Sequence, residues 1–209
     1  MWSHDFFEKI LRHRGYRFIA GVDEVGRGAL AGPVIAAAIV LDGRGDYSEI
    51  RDSKLLSAKV RERLSARLKQ EAVGFGLASV SETVVDHINI LQATHQAMRD
   101  ALKNLAVRPD VVLVDGFWLP GLDIDCIGII EGDARSYSIA AASIVAKVHR
   151  DDYMTSIATD YPQYGFDRNK GYGTQLHLEA VHRYGPCPRH RLTFGGVRGS
   201  RPEGMNNGD

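Results

Sequence analysis

Ala20-Gly21-Val22-Asp23-Glu24-Val25-Gly26-Arg27-Gly28 is the stretch whose reading decides the fold. Phe18, Ile19 and Val22 make an apolar strand, Asp23 and Glu24 stand at its end, and two glycines then flank one arginine. In α/β sheets, ligands and chemistry collect at the carboxyl ends of strands. Glycine has no Cβ, so the backbone at Gly26 and Gly28 can approach a ligand closely. Two hard oxygen ligands beside exposed backbone amides suit a divalent metal next to a phosphate. The plainer alternative is a solvated Asp-Glu turn, and the Gly-Arg-Gly element directly behind it weakens that reading.

Working outward, residues 5–13 predict a short amphipathic helix, and the first strand runs over about 16–24. Gly32-Pro33 marks a turn, after which Val34–Leu41 reads as a buried strand paired antiparallel with the first. Ser57 is placed to cap a helix reaching about Gln70, and residues 72–80 alternate as a half-exposed strand should. From Ser81 to Leu105 an apolar stripe keeps helical spacing, with Asn89 placed to cap a second segment and His95 read as a packed core residue. Asp110-Val111-Val112-Leu113-Val114-Asp115-Gly116 then repeats the opening grammar. A helix between two such strands implies a parallel crossover, which makes them neighbours and lets Asp115 face Asp23. A simple turn aspartate is the alternative. Residues 124–130 form a further strand ended by Glu131-Gly132-Asp133, and the alanine-rich run Ser138–His149 predicts a buried helix behind it. Asp151 and Asp152, at that helix's far end, read as solvated.

At 209 residues and 44% hydrophobic, the chain can bury one sizeable core, and one domain is expected over residues 1–194. The formal net charge is zero, so no global field points to a nucleic acid. Two cysteines, Cys126 and Cys187, make neither a disulfide framework nor a zinc motif, which fits a reducing, cytoplasmic setting. The start resembles no signal peptide, and no apolar run is long enough to span a membrane. Residues 161–201 carry seven Lys/Arg against two acids, with three histidines and six aromatics interleaved. That composition suits a nucleic-acid groove, and equally a charged helix over about 174–184 whose neighbouring aromatics pack inward. The glycine-rich residues 195–209 read as a flexible tail.

Asp23, Glu24, Asp115 and Asp133 thus stand at or just beyond strand ends. Without cations their repulsion would raise one or more pKa values, whereas two Mg²⁺ or Mn²⁺ ions would relieve it. Paired metals roughly 3.5–4 Å apart activate a water and steady the leaving oxygen of an in-line phosphoryl displacement. No histidine or cysteine lies close in sequence to these acids, which argues against zinc.

The motifs now on the page resemble those of bacterial ribonuclease HII, the type 2 ribonuclease H. The matching pieces are GVDEVGRG at 21–28, DSKLLS at 52–57, VDG at 114–116, GDARS at 132–136, SIAAASIVAKVHRD from 138, KGYGT at 170–174 and HRLTF at 190–194. The resemblance implies an α/β ribonuclease H-like fold: a five-stranded mixed sheet in order 3-2-1-4-5 with helices on both faces. It implies that Asp23, Glu24, Asp115 and Asp133 bind the metals and carry hydrolysis, Glu24 also through its backbone carbonyl. It implies that Gly26, Arg27 and Gly28 read a ribonucleotide 2′-hydroxyl, that Tyr172 stacks on the next deoxyribose, and that Lys54 lies near the substrate backbone. For Lys54 the residue-level alternative is a solvated surface lysine. The implied activity is cleavage 5′ of a ribonucleotide in RNA–DNA hybrids or in duplex DNA, by a monomer. A sliding clamp is one further partner to consider. Ribonuclease HIII, a rival that is similar in its acids, has threonine where Arg27 stands and carries an extra N-terminal domain. A resolvase-like two-metal nuclease and a non-catalytic nucleic-acid-binding module are the other rivals.

Overall fold

The computed structural model describes residues 4–50 and 56–199. Lys54 and residues 200–209 of the expected tail lie outside the described residues. Contacts gather the described residues into two compact units, one of residues 4–25, 35–50, 56–79 and 94–148, the other of residues 26–34, 80–93 and 149–199.

The first unit is built on a five-stranded sheet of β1 (Ile19–Val25), β2 (Val34–Val40), β3 (Gly74–Val80), β4 (Val111–Asp115) and β5 (Asp125–Ile129). Its order is β3-β2-β1-β4-β5, as the resemblance implies. β1 runs antiparallel to β2 and parallel to β4, and β4 runs parallel to β5. β1 begins three residues later than its apolar pattern suggests. The amides of Arg17 and Phe18 both donate to the Asp110 carboxylate at 2.8 Å, which withdraws them from the strand ladder.

β2 is buried along its whole length, as a strand covered on both faces must be. Its cover includes helix α2 (Ala58–Glu71), capped by Ser57, whose Oγ accepts the Val60 amide and whose Leu64 and Leu68 enter the core. Helix α1 (Phe6–His13) contributes Leu11 beside Ile19, Leu113 and Ile129. The alanine-rich run forms the start of a 21-residue helix, Tyr137–Ile157, in which Ile139–Ala142 and Ile144–Ala146 are fully buried. A Cβ at Gly21 would lie 2.1 Å from the Ser138 carbonyl group, so this helix packs directly on the backbone of β1. Only glycine permits that approach.

The stripe from Ser81 divides as Asn89 suggests, into Glu82–Ile88 and Ile90–Lys103. Asn89, at φ 68°, breaks the run and its side-chain oxygen accepts the amides of Leu91 and Gln92.

The second unit packs Ala31, Met154, Tyr164, Phe166 and Val181 into a core of its own. Its C-terminal helix, Gln175–Tyr184, is capped by the Thr174 hydroxyl, which accepts the His177 amide at 3.3 Å. The amides of Val197 and Arg198 both bond back to the Phe194 carbonyl, and Val197 is 1% exposed.

Candidate active site

In the first unit, the strand ends collect the acids. Register pairs Val22 with Val114, so the next residues, Asp23 and Asp115, stand level, Asp115 closing β4 and Asp23 two residues short of the end of β1. Beyond β5, Glu131 adopts a left-handed conformation, and the chain turns through a short 3₁₀ segment, Gly132–Ala134, that carries Asp133. The Gly132 amide donates to Oδ1 of Asp115 at 2.7 Å and fixes that carboxylate. A Cβ at Gly132 would meet Cδ1 of Ile139 at 2.5 Å, so a larger residue here would have to displace the end of that side chain.

Asp23, Glu24, Asp115 and Asp133 line one cavity of about 370 Å³. Asp23 is 6% exposed. Burial, with the Glu24 and Asp115 carboxylates beside it, pushes the Asp23 carboxyl well above the usual carboxylate range. The Ser143 hydroxyl and the Glu24 amide, which donates to Oδ1 of Asp23 at 2.7 Å, work the other way without offsetting burial. An all-oxygen donor set around a buried, destabilised carboxylate fits a hard divalent cation. Among the described residues, no three His, Cys, Asp or Glu side chains close into a finished metal cage. An open site completed by water and substrate oxygens needs no such closure.

The sequence reading missed three residues that line the same cavity: Arg61, Ser143 and Lys147. Ser143 and Lys147 are four apart in a helix that is otherwise apolar there, so they share a face. That pair of polar interruptions was the available signal.

The second unit holds Gly26, Arg27, Gly28 and Tyr172. Arg27 and Gly28 are exposed and Tyr172 is half-buried. Here the charge count of the C-terminal third needs correction. Arg191 is fully buried, donating through Nη1 to the Arg27 carbonyl at 2.9 Å and through Nε and Nη2 to that of Gly32. Burial, then the nearby Arg150 charge, brings the Arg191 pKa down to about 10. His177 and His190 are also buried, so they add no surface charge. The aromatics divide: Tyr164 and Phe166 pack inward, whereas Tyr184 stays exposed.

Solved structures share this architecture. Ribonuclease H2 from Pyrococcus horikoshii matches with a TM-score of 0.71 and 26% identity, over 87% of this chain and 95% of that one. Ribonuclease HII from Archaeoglobus fulgidus, solved in a complex with PCNA, matches with a TM-score of 0.73 and 20% identity, over 90% and 98%. The class is therefore that of the ribonuclease H-like α/β hydrolases. A ribonuclease HII from Syntrophobacter fumaroxidans is 52% identical over 199 residues, 95% of this chain and 85% of that one. The family model for Ribonuclease HII matches residues 20–197. The chain belongs to the ribonuclease HII family, and is a ribonuclease H endonuclease. No described helix is long and apolar enough to cross a membrane.

Proposed function

We propose that this chain hydrolyses the phosphodiester 5′ of a ribonucleotide, in RNA–DNA hybrids or embedded in duplex DNA, leaving a 3′-hydroxyl and a 5′-phosphate. The observation that carries this reading is the cavity lined by four carboxylates, with Asp23 buried and held at an energetic cost. Asp23, Glu24, Asp115 and Asp133 would hold two Mg²⁺ or Mn²⁺ ions. When bound, such ions activate a water and steady the leaving oxygen of an in-line displacement.

The chain's own groups do the rest. The Gly132 amide holds Asp115 in orientation, and the Ser143 hydroxyl does so for Asp23. Lys147, lining the same cavity, brings a positive charge toward a substrate phosphate. The turn of Gly26, Arg27 and Gly28, exposed at Arg27 and Gly28, reads the 2′-hydroxyl, and Tyr172 stacks on the following deoxyribose. Lys54 is assigned to the substrate backbone on the family match alone. The enzyme works as a cytoplasmic monomer, with residues 1–194 acting as one catalytic domain, in removing ribonucleotides from DNA.

The test compares three duplexes in Mg²⁺, in Mn²⁺ and in chelator: one with a single ribonucleotide, one RNA–DNA hybrid, one all-DNA. Metal-dependent cutting of the first two alone is expected. Cutting of the all-DNA duplex would favour a different two-metal nuclease, and binding without cutting would favour a non-catalytic module.

A further inference from the structure

We propose that Arg150 is a positioning residue for ribonucleotide selection, its guanidinium holding the Gly26 turn and the Tyr172 ring as one reading surface. The proposal rests on the assignment of Gly26 and Tyr172 to substrate reading made above.

Arg150 is 0% exposed. Its Nε donates to the Pro33 carbonyl at 3.1 Å, Nη1 to that of Lys170 at 2.8 Å and Nη2 to that of Ala31 at 3.0 Å. One planar fork thus joins the loop after the Gly-Arg-Gly element to the turn that precedes Tyr172. Lysine, a point donor on a flexible stem, cannot reproduce that geometry. The guanidinium carbon also lies 5.3 Å from the centre of the Tyr172 ring, within cation–π range. On another side, a Cβ at Gly26 would fall 2.2 Å from Nε of Arg150. Gly26, at φ +91°, is therefore glycine on two counts: its own conformation, and the room Arg150 occupies.

Burying a cation is costly, so a position that needed only filling would carry an apolar side chain. The partners chosen here are main-chain carbonyls of the two loops and one aromatic face. The same guanidinium thus braces the Tyr172 ring and bounds the Gly26 turn. Arg150 touches neither substrate nor metal in this scheme, and it acts through the residues that do.

The experiment measures kcat/KM on a single-ribonucleotide duplex and on a continuous RNA–DNA hybrid. The proteins are wild type, Arg150→Lys, Arg150→Gln, Tyr172→Ala and the Tyr172→Ala/Arg150→Lys double variant, each with a thermal unfolding curve. Arg150→Lys should lower the ratio of the two constants roughly 2- to 30-fold, the range of cation–π contacts from exposed to desolvated. In the Tyr172→Ala background the same substitution should leave the ratio unmoved. Equal losses on both substrates would make Arg150 merely structural and overturn the proposal. So would a ratio that falls as far without Tyr172 as with it, or a failure of both Arg150 variants to fold even in the cold. An unchanged ratio in Tyr172→Ala alone would instead overturn the reading of Tyr172, and this proposal with it.

Discussion

Nδ1 of His177 lies 2.8 Å from the carbonyl oxygen of Tyr172, and because a carbonyl only accepts, that nitrogen carries the ring proton. Nε2 of neutral His177 then accepts, and its partner at 3.0 Å is Nε2 of His190, which donates. The remaining nitrogen of His190 accepts the Cys187 amide at 3.0 Å. Both tautomers follow from the partners, and both rings are neutral. The turn bearing Tyr172 is thereby tied to the loop at Cys187 through two buried imidazoles.

This pair makes stability depend on acidity. Burial, then the neighbouring His177, pulls the His190 pKa from 6.5 to about 4. The folded state refuses a proton that the unfolded chain accepts, so unfolding takes up protons between those values. The stabilisation is therefore present above pH 6.5 and lost as pH falls toward about 4, amounting to roughly 3 kcal/mol when complete. Urea unfolding across that range should show the loss, and His190→Gln should flatten it. Parallel curves for the two proteins would contradict the assignment.

Asp115→Asn should keep the fold and lose activity by at least about 100-fold, because an amide cannot balance cation charge and substitutes poorly as a ligand. The Gly132 amide can still bond to the amide oxygen, so thermal unfolding of the metal-free variant should match wild type. Near-normal turnover in Mg²⁺ would remove Asp115 from the site.

Gly21→Ala tests the packing beneath that site. Its new methyl group would need to occupy space held by the Ser138 backbone, which cannot rotate away. Overpacking of this kind costs roughly 1–3 kcal/mol and sometimes more. For a chain of this size that lowers Tm by about 2–12 °C. An unchanged melting curve would show that the contact between β1 and the helix starting at Tyr137 is looser than described.

What the sequence made legible was what periodicity and position encode. The repeated strand-then-carboxylate grammar placed β1 beside β4 and Asp23 beside Asp115, and Asn89 announced the break between two helices. Residues whose chemistry runs against their environment stayed hidden. Arg191 was counted with the basic C-terminal segment and Arg150 drew no reading of its own, because nothing local shows that a guanidinium will be spent on main-chain carbonyls in a core. Ser143 and Lys147 were visible only as polar interruptions, meaningful once the helix face was known. Gly21 carries no local sign that a helix packs on it.

Tyr172→Ala should cut single-ribonucleotide duplexes roughly 5- to 150-fold less well, the range for a lost aromatic stack, and lose less on continuous hybrids. A 2′-hydroxyl on the following sugar would crowd the ring, so the hybrid depends on it less. Equal loss on both substrates, or none, would leave Tyr172 as a packing residue.

The most direct measurement places one ribonucleotide at a defined position in a labelled duplex and maps the products to the nucleotide in Mg²⁺ and Mn²⁺. The account predicts one cut on the 5′ side of the ribonucleotide, with a 3′-hydroxyl and a 5′-phosphate, abolished by chelator and by Asp23→Asn. A cut on the 3′ side, a 2′,3′-cyclic phosphate end, or cleavage that survives chelation would contradict it.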